Sequence, residues 1–112
     1  METRHIGNQV RVMIHDALDA FARLDADQAL RVLLADADID REYQSATRTL
    51  MTYMIEDPRH IARVINVMWV LRSLERIGDH ARNIAEQVIY MAKGFDARHT
   101  KIEEIEAKVH EK

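Results

Sequence analysis

The sequence predicts an all-α fold: an antiparallel up-down-up three-helix bundle formed as a single domain over residues 1–112. Three observations predict it. Apolar residues recur three and four apart through long segments, the spacing of one helix face. Only three glycines and one proline interrupt the 112 residues. Ala, Leu, Arg, Glu, Met and Ile dominate, while β-branched and aromatic residues do not gather in the alternating runs that mark strands. A chain of this length builds one core without staples. With no cysteine it forms neither a disulfide framework nor a thiolate metal site.

The first helix spans about residues 3–24, with Ile6, Val10, Met13, Ala17 and Phe21 forming its apolar stripe. Asp25 suits the N-cap of the second helix, and Gln28 three residues on completes a capping box. That helix spans about residues 26–55, with Val32, Ala35, Ile39, Tyr43, Ala46, Leu50 and Tyr53 in its stripe. Asp57-Pro58 marks the next boundary: Asp57 caps, and Pro58 fits the first helical position, where its missing N–H has no partner to lose. The third helix spans about residues 58–93 and stops at Gly94, a good left-handed terminator.

Its seam reads Val67, Val70, Leu74, Ile77, Ala81, Ile84, Val88 and Met91. Ile61, Ile65, Met68 and Trp69 lie off that seam, so the stretch from Ile61 to Leu71 is apolar on nearly every side and calls for more cover than two companion helices give. Residues 96–112 carry little apolar content and form a weakly structured tail. Short connections at residues 24–27 and 55–58 make sequential helices antiparallel neighbours.

Several function classes drop out early. The net charge is −3, with acid and base interspersed, whereas a surface that tracks a nucleic-acid backbone is basic. No window approaches 18 uninterrupted apolar residues and the N-terminus lacks a signal-peptide pattern, so a cytoplasmic protein without membrane insertion is expected. No nucleophile–base pair or Gly-rich phosphate loop is present; no catalytic residue is assigned, and the chain is read as a non-enzyme.

The most informative segment runs from Arg72 to Glu86. At roughly 100° per residue, Glu75, Asp79, Asn83 and Glu86 fall in one narrow stripe of the third helix. The second helix carries a matching pair one turn apart, Asp36 and Asp40, at the edge of its core stripe. Oxygen-only side chains paired at i and i+4 suit hard or borderline cations such as magnesium, manganese or iron. The same pattern also describes a plain solvated face, since 19 acidic residues produce such spacings by chance. Gly78 costs about 1 kcal/mol relative to Ala inside a helix, which calls for close approach by a neighbouring helix or a ligand, a helix crossing being the simpler cause.

The run Ser73-Leu74-Glu75-Arg76-Ile77-Gly78-Asp79-His80-Ala81-Arg82-Asn83-Ile84-Ala85-Glu86 resembles the E-R-I-G-D-x-x-x-N signature of the PhoU family. The likeness extends through Leu50 to Asp57 and Leu18 to Arg23, and covers about residues 4–99. It implies a multinuclear site for iron or another transition ion on the bundle surface. Asp36 and Asp40 then match the second-helix ligand pair, Glu75 and Asp79 the third-helix pair, and Asn83 the signature Asn, with Glu86 as a further auxiliary position. The resemblance also implies a regulatory adaptor that represses the phosphate-starvation response. Its partners would be the ATPase subunit of the phosphate ABC transporter and the membrane sensor histidine kinase. Members of that family carry two three-helix repeats in tandem, and this chain corresponds to the second. Without its companion, the isolated domain is expected to form a homo-oligomer, a dimer being the simplest.

The remaining features are plainer. Glu2-x-x-His5 has the spacing of a di-iron ligand pair but occurs once, where such bundles need it twice. His5, His15, His60, His80, His99 and His110 form no i,i+4 pair. Trp69 and the methionines sit at packing spacings. Arg72, Arg76 and Arg82 are placed to pair with neighbouring carboxylates.

Overall fold

The computed structural model describes residues 2–98 and 100–111, with side chains from Arg4 onward; Glu2 of the Glu2/His5 spacing, and His99, lie outside the described side chains. Four α-helices form among these residues: α1 (Glu2–Arg23), α2 (Ala26–Glu56), α3 (Ile61–Lys93) and α4 (Ile102–Val109). The first three pack pairwise against one another, and α4 docks on α2 and α3. The body measures 57 × 24 × 17 Å, close to the ~50 Å length that a 33-residue helix dictates.

The boundaries follow local chemistry. The Asp25 side chain accepts a hydrogen bond from the Gln28 backbone N–H at 3.1 Å, capping α2. The reciprocal arm of a capping box is absent, because the Gln28 Oε1 accepts instead from Arg23 Nη2 at 2.8 Å. Leu24 closes α1 at φ 52°, in the left-handed region, while the Asp25 N–H reaches back to the Ala20 carbonyl at 2.9 Å. Asp57 caps a single 3-10 turn, Pro58–His60, by accepting from the Arg59 N–H, so the α-helix proper begins at Ile61. Gly94 ends α3 at φ 67°, its N–H bonded to the Tyr90 carbonyl.

On α1 the core face is Ile6, Val10, Met13, Ala17 and Ala20. Phe21, which the periodicity places in that stripe, is 53% exposed, and the small Ala20 takes the contact at the helix end. On α2, Val32, Ile39 and Ala46 are buried and Ala35, Tyr43 and Leu50 half-buried, but Tyr53 points outward beside the ring of His60. The α3 seam is rotated from the one the spacing suggests. One track, Val67, Leu74, Ala81 and Val88, faces the core as expected. The second track is Val64, Leu71, Gly78 and Ala85, whereas Val70, Ile77 and Met91 are exposed. The N-terminal half of α3 is apolar all round, so periodicity there fits either track. Gly78 and Ala85 select the inner one because they let the neighbouring helix approach.

The described residues 96–98 and 100–111 also pack more fully than their composition suggests, with α4 formed over Ile102–Val109. Ile105 and Val109, one turn apart on α4, are buried together with Ala97 and join the cluster containing Ala26, Ala29, Leu30 and Leu33 of α2. That stretch of α2 is apolar beyond what two companion helices cover, so even a short helix with two apolar side chains finds a site. His110 Nε2 lies 3.4 Å from Asp27 Oδ1, and Lys93 Nζ donates to the Glu111 carbonyl at 3.3 Å, closing the ends.

Candidate functional site

The α2–α3 contact passes over Gly78. A methyl group built there would meet Asp36 Oδ1 at 3.8 Å, an ordinary van der Waals distance, so the Asp36 carboxylate of α2 lies over the Gly78 position with space for a methyl between them. One turn on from Gly78 along α3, Arg82 Nη1 donates to the other oxygen, Asp36 Oδ2, at 3.1 Å. The same guanidinium lies with Nε 3.7 Å from Glu86 Oε2. The Asp36 side chain is 4% exposed, Glu86 10% and Arg82 39%, so one arginine at the rim serves two buried carboxylates, one from each helix.

The predicted site residues are therefore not all surface groups. Asp36 lies deep in the crossing, not at the edge of the core stripe, and Glu86 is buried too. Asp40 and Glu75 are half-buried, and Asp79 and Asn83 are exposed. Burial, then repulsion from Asp40, raises the Asp36 carboxyl to about 6, against the attraction of Arg82. Burial also raises Asp40, followed by repulsion from Asp79. Glu75 is raised by burial and then by Asp79 and Asp40. These mutual repulsions show that Asp36, Asp40, Glu75 and Asp79 share one neighbourhood of excess negative charge, as their i,i+4 spacings on two adjacent helices imply. Asn83 and Glu86 lie further along α3 and line a polar cleft of about 570 Å³ with Gln87, Tyr90, Asp96 and Arg98.

An all-oxygen set with crowded charge has the right donor chemistry for a hard cation. The geometry does not fit a ready-made ion site. Among the described residues no three His, Asp or Glu side chains are placed to hold a metal ion, and the deepest carboxylate of the set is already engaged by an arginine. Arg82 is the residue whose role the spacing understates. Its signal was present: it stands four residues after Gly78 and four before Glu86, so it shares their face.

The PhoU domain family model matches residues 3–88. The chain is 62% identical over 109 residues to a phosphate-specific transport system accessory protein PhoU homolog of Pseudomonas putida, covering 97% of this chain and 43% of that one. It is 46% identical over 101 residues to the phosphate-specific transport system accessory protein PhoU of Escherichia coli (strain K12), covering 90% and 42%. The crystal structure of PhoU from Pseudomonas aeruginosa superposes with a TM-score of 0.80 at 65% identity, covering 82% of this chain and 44% of that chain. The chain thus spans under half the length of the curated relatives it matches.

Proposed function

This chain belongs to the PhoU domain family, and from that premise we propose that it is a non-enzymatic regulatory adaptor of phosphate homeostasis in the cytoplasm. Its relatives' names, accessory proteins of a phosphate-specific transport system, support the general role. In the finer reading the domain restrains the phosphate-starvation response by contacting the transporter's ATPase subunit and the cytosolic part of the sensor histidine kinase. Among the described residues no helix is long and apolar enough to cross a membrane, which accords with a protein that works by docking.

One observation carries the adaptor reading. Ile61, Ile65 and Trp69 recur every four residues along α3 and are 41%, 45% and 64% exposed, with Val70 and Ile77 exposed alongside. Met51 and Ile55 add exposed apolar surface at the end of α2. A concentration of exposed apolar side chains of this kind on a folded domain marks a contact surface. The isolated domain uses it to self-associate, as a homodimer.

The test is a pull-down of the purified chain against the ATPase subunit and against the kinase's cytosolic part, with an Ile65→Ser/Trp69→Ser variant alongside. Capture of either partner by the wild type and its loss in the variant is the expected result. Failure of the wild type to retain either partner defeats the adaptor assignment. Light scattering gives the oligomeric state, and Trp69, the sole tryptophan, reports burial of the face as its emission shifts to the blue with rising concentration.

A further inference from the structure

The geometry points to Arg82 as the built-in counter-cation of the α2–α3 crossing, with Asp36 an anchor between helices and not a metal ligand. Three observations combine. Asp36 is enclosed, one oxygen 3.8 Å from where a methyl group on Gly78 would stand and the other on the Arg82 guanidinium at 3.1 Å. Gly78 and Arg82 are an i,i+4 pair on the face of α3 that meets α2, so the carboxylate lies over a small residue and the arginine closes over it. The guanidinium also lies 3.7 Å from Glu86 Oε2, which places one positive group between two buried negative ones. The other acidic groups facing this locus, Asp40 from α2 and Asp79 and Glu75 from α3, lie farther out and stay more exposed.

The physical chemistry favours the arginine over an ion. A guanidinium is planar, permanently charged and weakly hydrated, so it enters a half-buried site at modest desolvation cost. A divalent ion would have to shed water and displace an arginine that is already paired. Removing Arg82, by contrast, leaves two buried carboxylates without a partner, and breaking a buried pair from one side is strongly destabilising. The domain's stability is therefore independent of metal while Arg82 is present, and becomes responsive to metal when Arg82 is lost.

The test uses the whole chain, stripped with chelator, and thermal melting at neutral pH with and without Mn²⁺ alone. The wild type is expected to melt at the same temperature in both conditions. Arg82→Gln is expected to melt about 10 °C lower, with part of the loss restored by Mn²⁺. Should Arg82→Gln not fold, the double variant Asp36→Asn/Arg82→Gln carries the test. It removes the Asp36 charge together with its partner, leaving only Glu86 unpaired, and is expected to recover most of the lost melting temperature, the recovered part indifferent to Mn²⁺. A wild-type Tm raised by Mn²⁺ and no longer raised after Asp36→Asn overturns the proposal. A double variant as unstable as the single one also overturns it, because Arg82 would then act through Glu86 or by packing and not through Asp36.

Discussion

Replacing Asp36 by asparagine isolates the cost of placing a charge inside the helix crossing. The Asp36 carboxyl sits at about 6, raised from 3.8 chiefly by burial, which sets the penalty on its charged form at about 3 kcal/mol. Between about pH 4 and 6 the folded protein holds a proton on Asp36 that the unfolded chain has already released, so stability falls as pH rises through this window. Below it the group is neutral in both states; above it the full penalty is in force. Asparagine keeps a carbonyl for the Arg82 N–H and never ionises. Urea denaturation followed by circular dichroism at pH 4 to 8 measures the difference between the two proteins, in which the shifts of Asp40 and Glu75 largely cancel. The curves should nearly coincide at pH 4, and Asp36→Asn should be more stable by about 2–3 kcal/mol at pH 7. If the variant is instead less stable than the wild type at pH 7, attraction by Arg82 outweighs burial and the account of the crossing is wrong.

Three further substitutions probe the rest of the fold. Leu24 holds φ 52° at the end of α1, so Leu24→Gly should relieve backbone strain and raise stability by about 1 kcal/mol in the same denaturation assay; a loss would show that its side chain matters more than its backbone. Gly78→Ala adds a methyl at ordinary contact distance from Asp36 Oδ1, and the better helix former should stabilise by up to about 1 kcal/mol. Destabilisation there would mean that the helices cannot give at this crossing. Ile105→Ala empties a fully buried position of α4 and should cost about 2–5 kcal/mol, with faster amide exchange in the first turns of α2; a cost under about 1 kcal/mol would show that α4 contributes little.

The helices were legible because each boundary carries its own local chemistry. Asp25, Asp57-Pro58 and Gly94 act on backbone groups within a few residues, and such short-range effects do not depend on the rest of the molecule. The tail was harder to read. Its two core residues, Ile105 and Val109, make a weak helical signal alone, and their burial depends on the apolar surface that α2 leaves uncovered. At the site, the i,i+4 spacings of Asp36/Asp40 and Glu75/Asp79 foretold that the carboxylates share one stripe per helix. Their depth was not foretold, because spacing sets only the angle around a helix axis and not the distance to a neighbour.

Local rules within the chain, then, determined the helix class, the turns, the family signature and the crowding of negative charge. Only the packing decided which of two apolar tracks of α3 turns inward, since both satisfy the heptad and the choice rests on where Gly78 and Ala85 let another helix approach. That choice placed Gly78 opposite Asp36 of α2 and set Arg82 upon its carboxylate. A contact between residues 46 apart in sequence is a property of two helices meeting, which no periodicity within either one encodes.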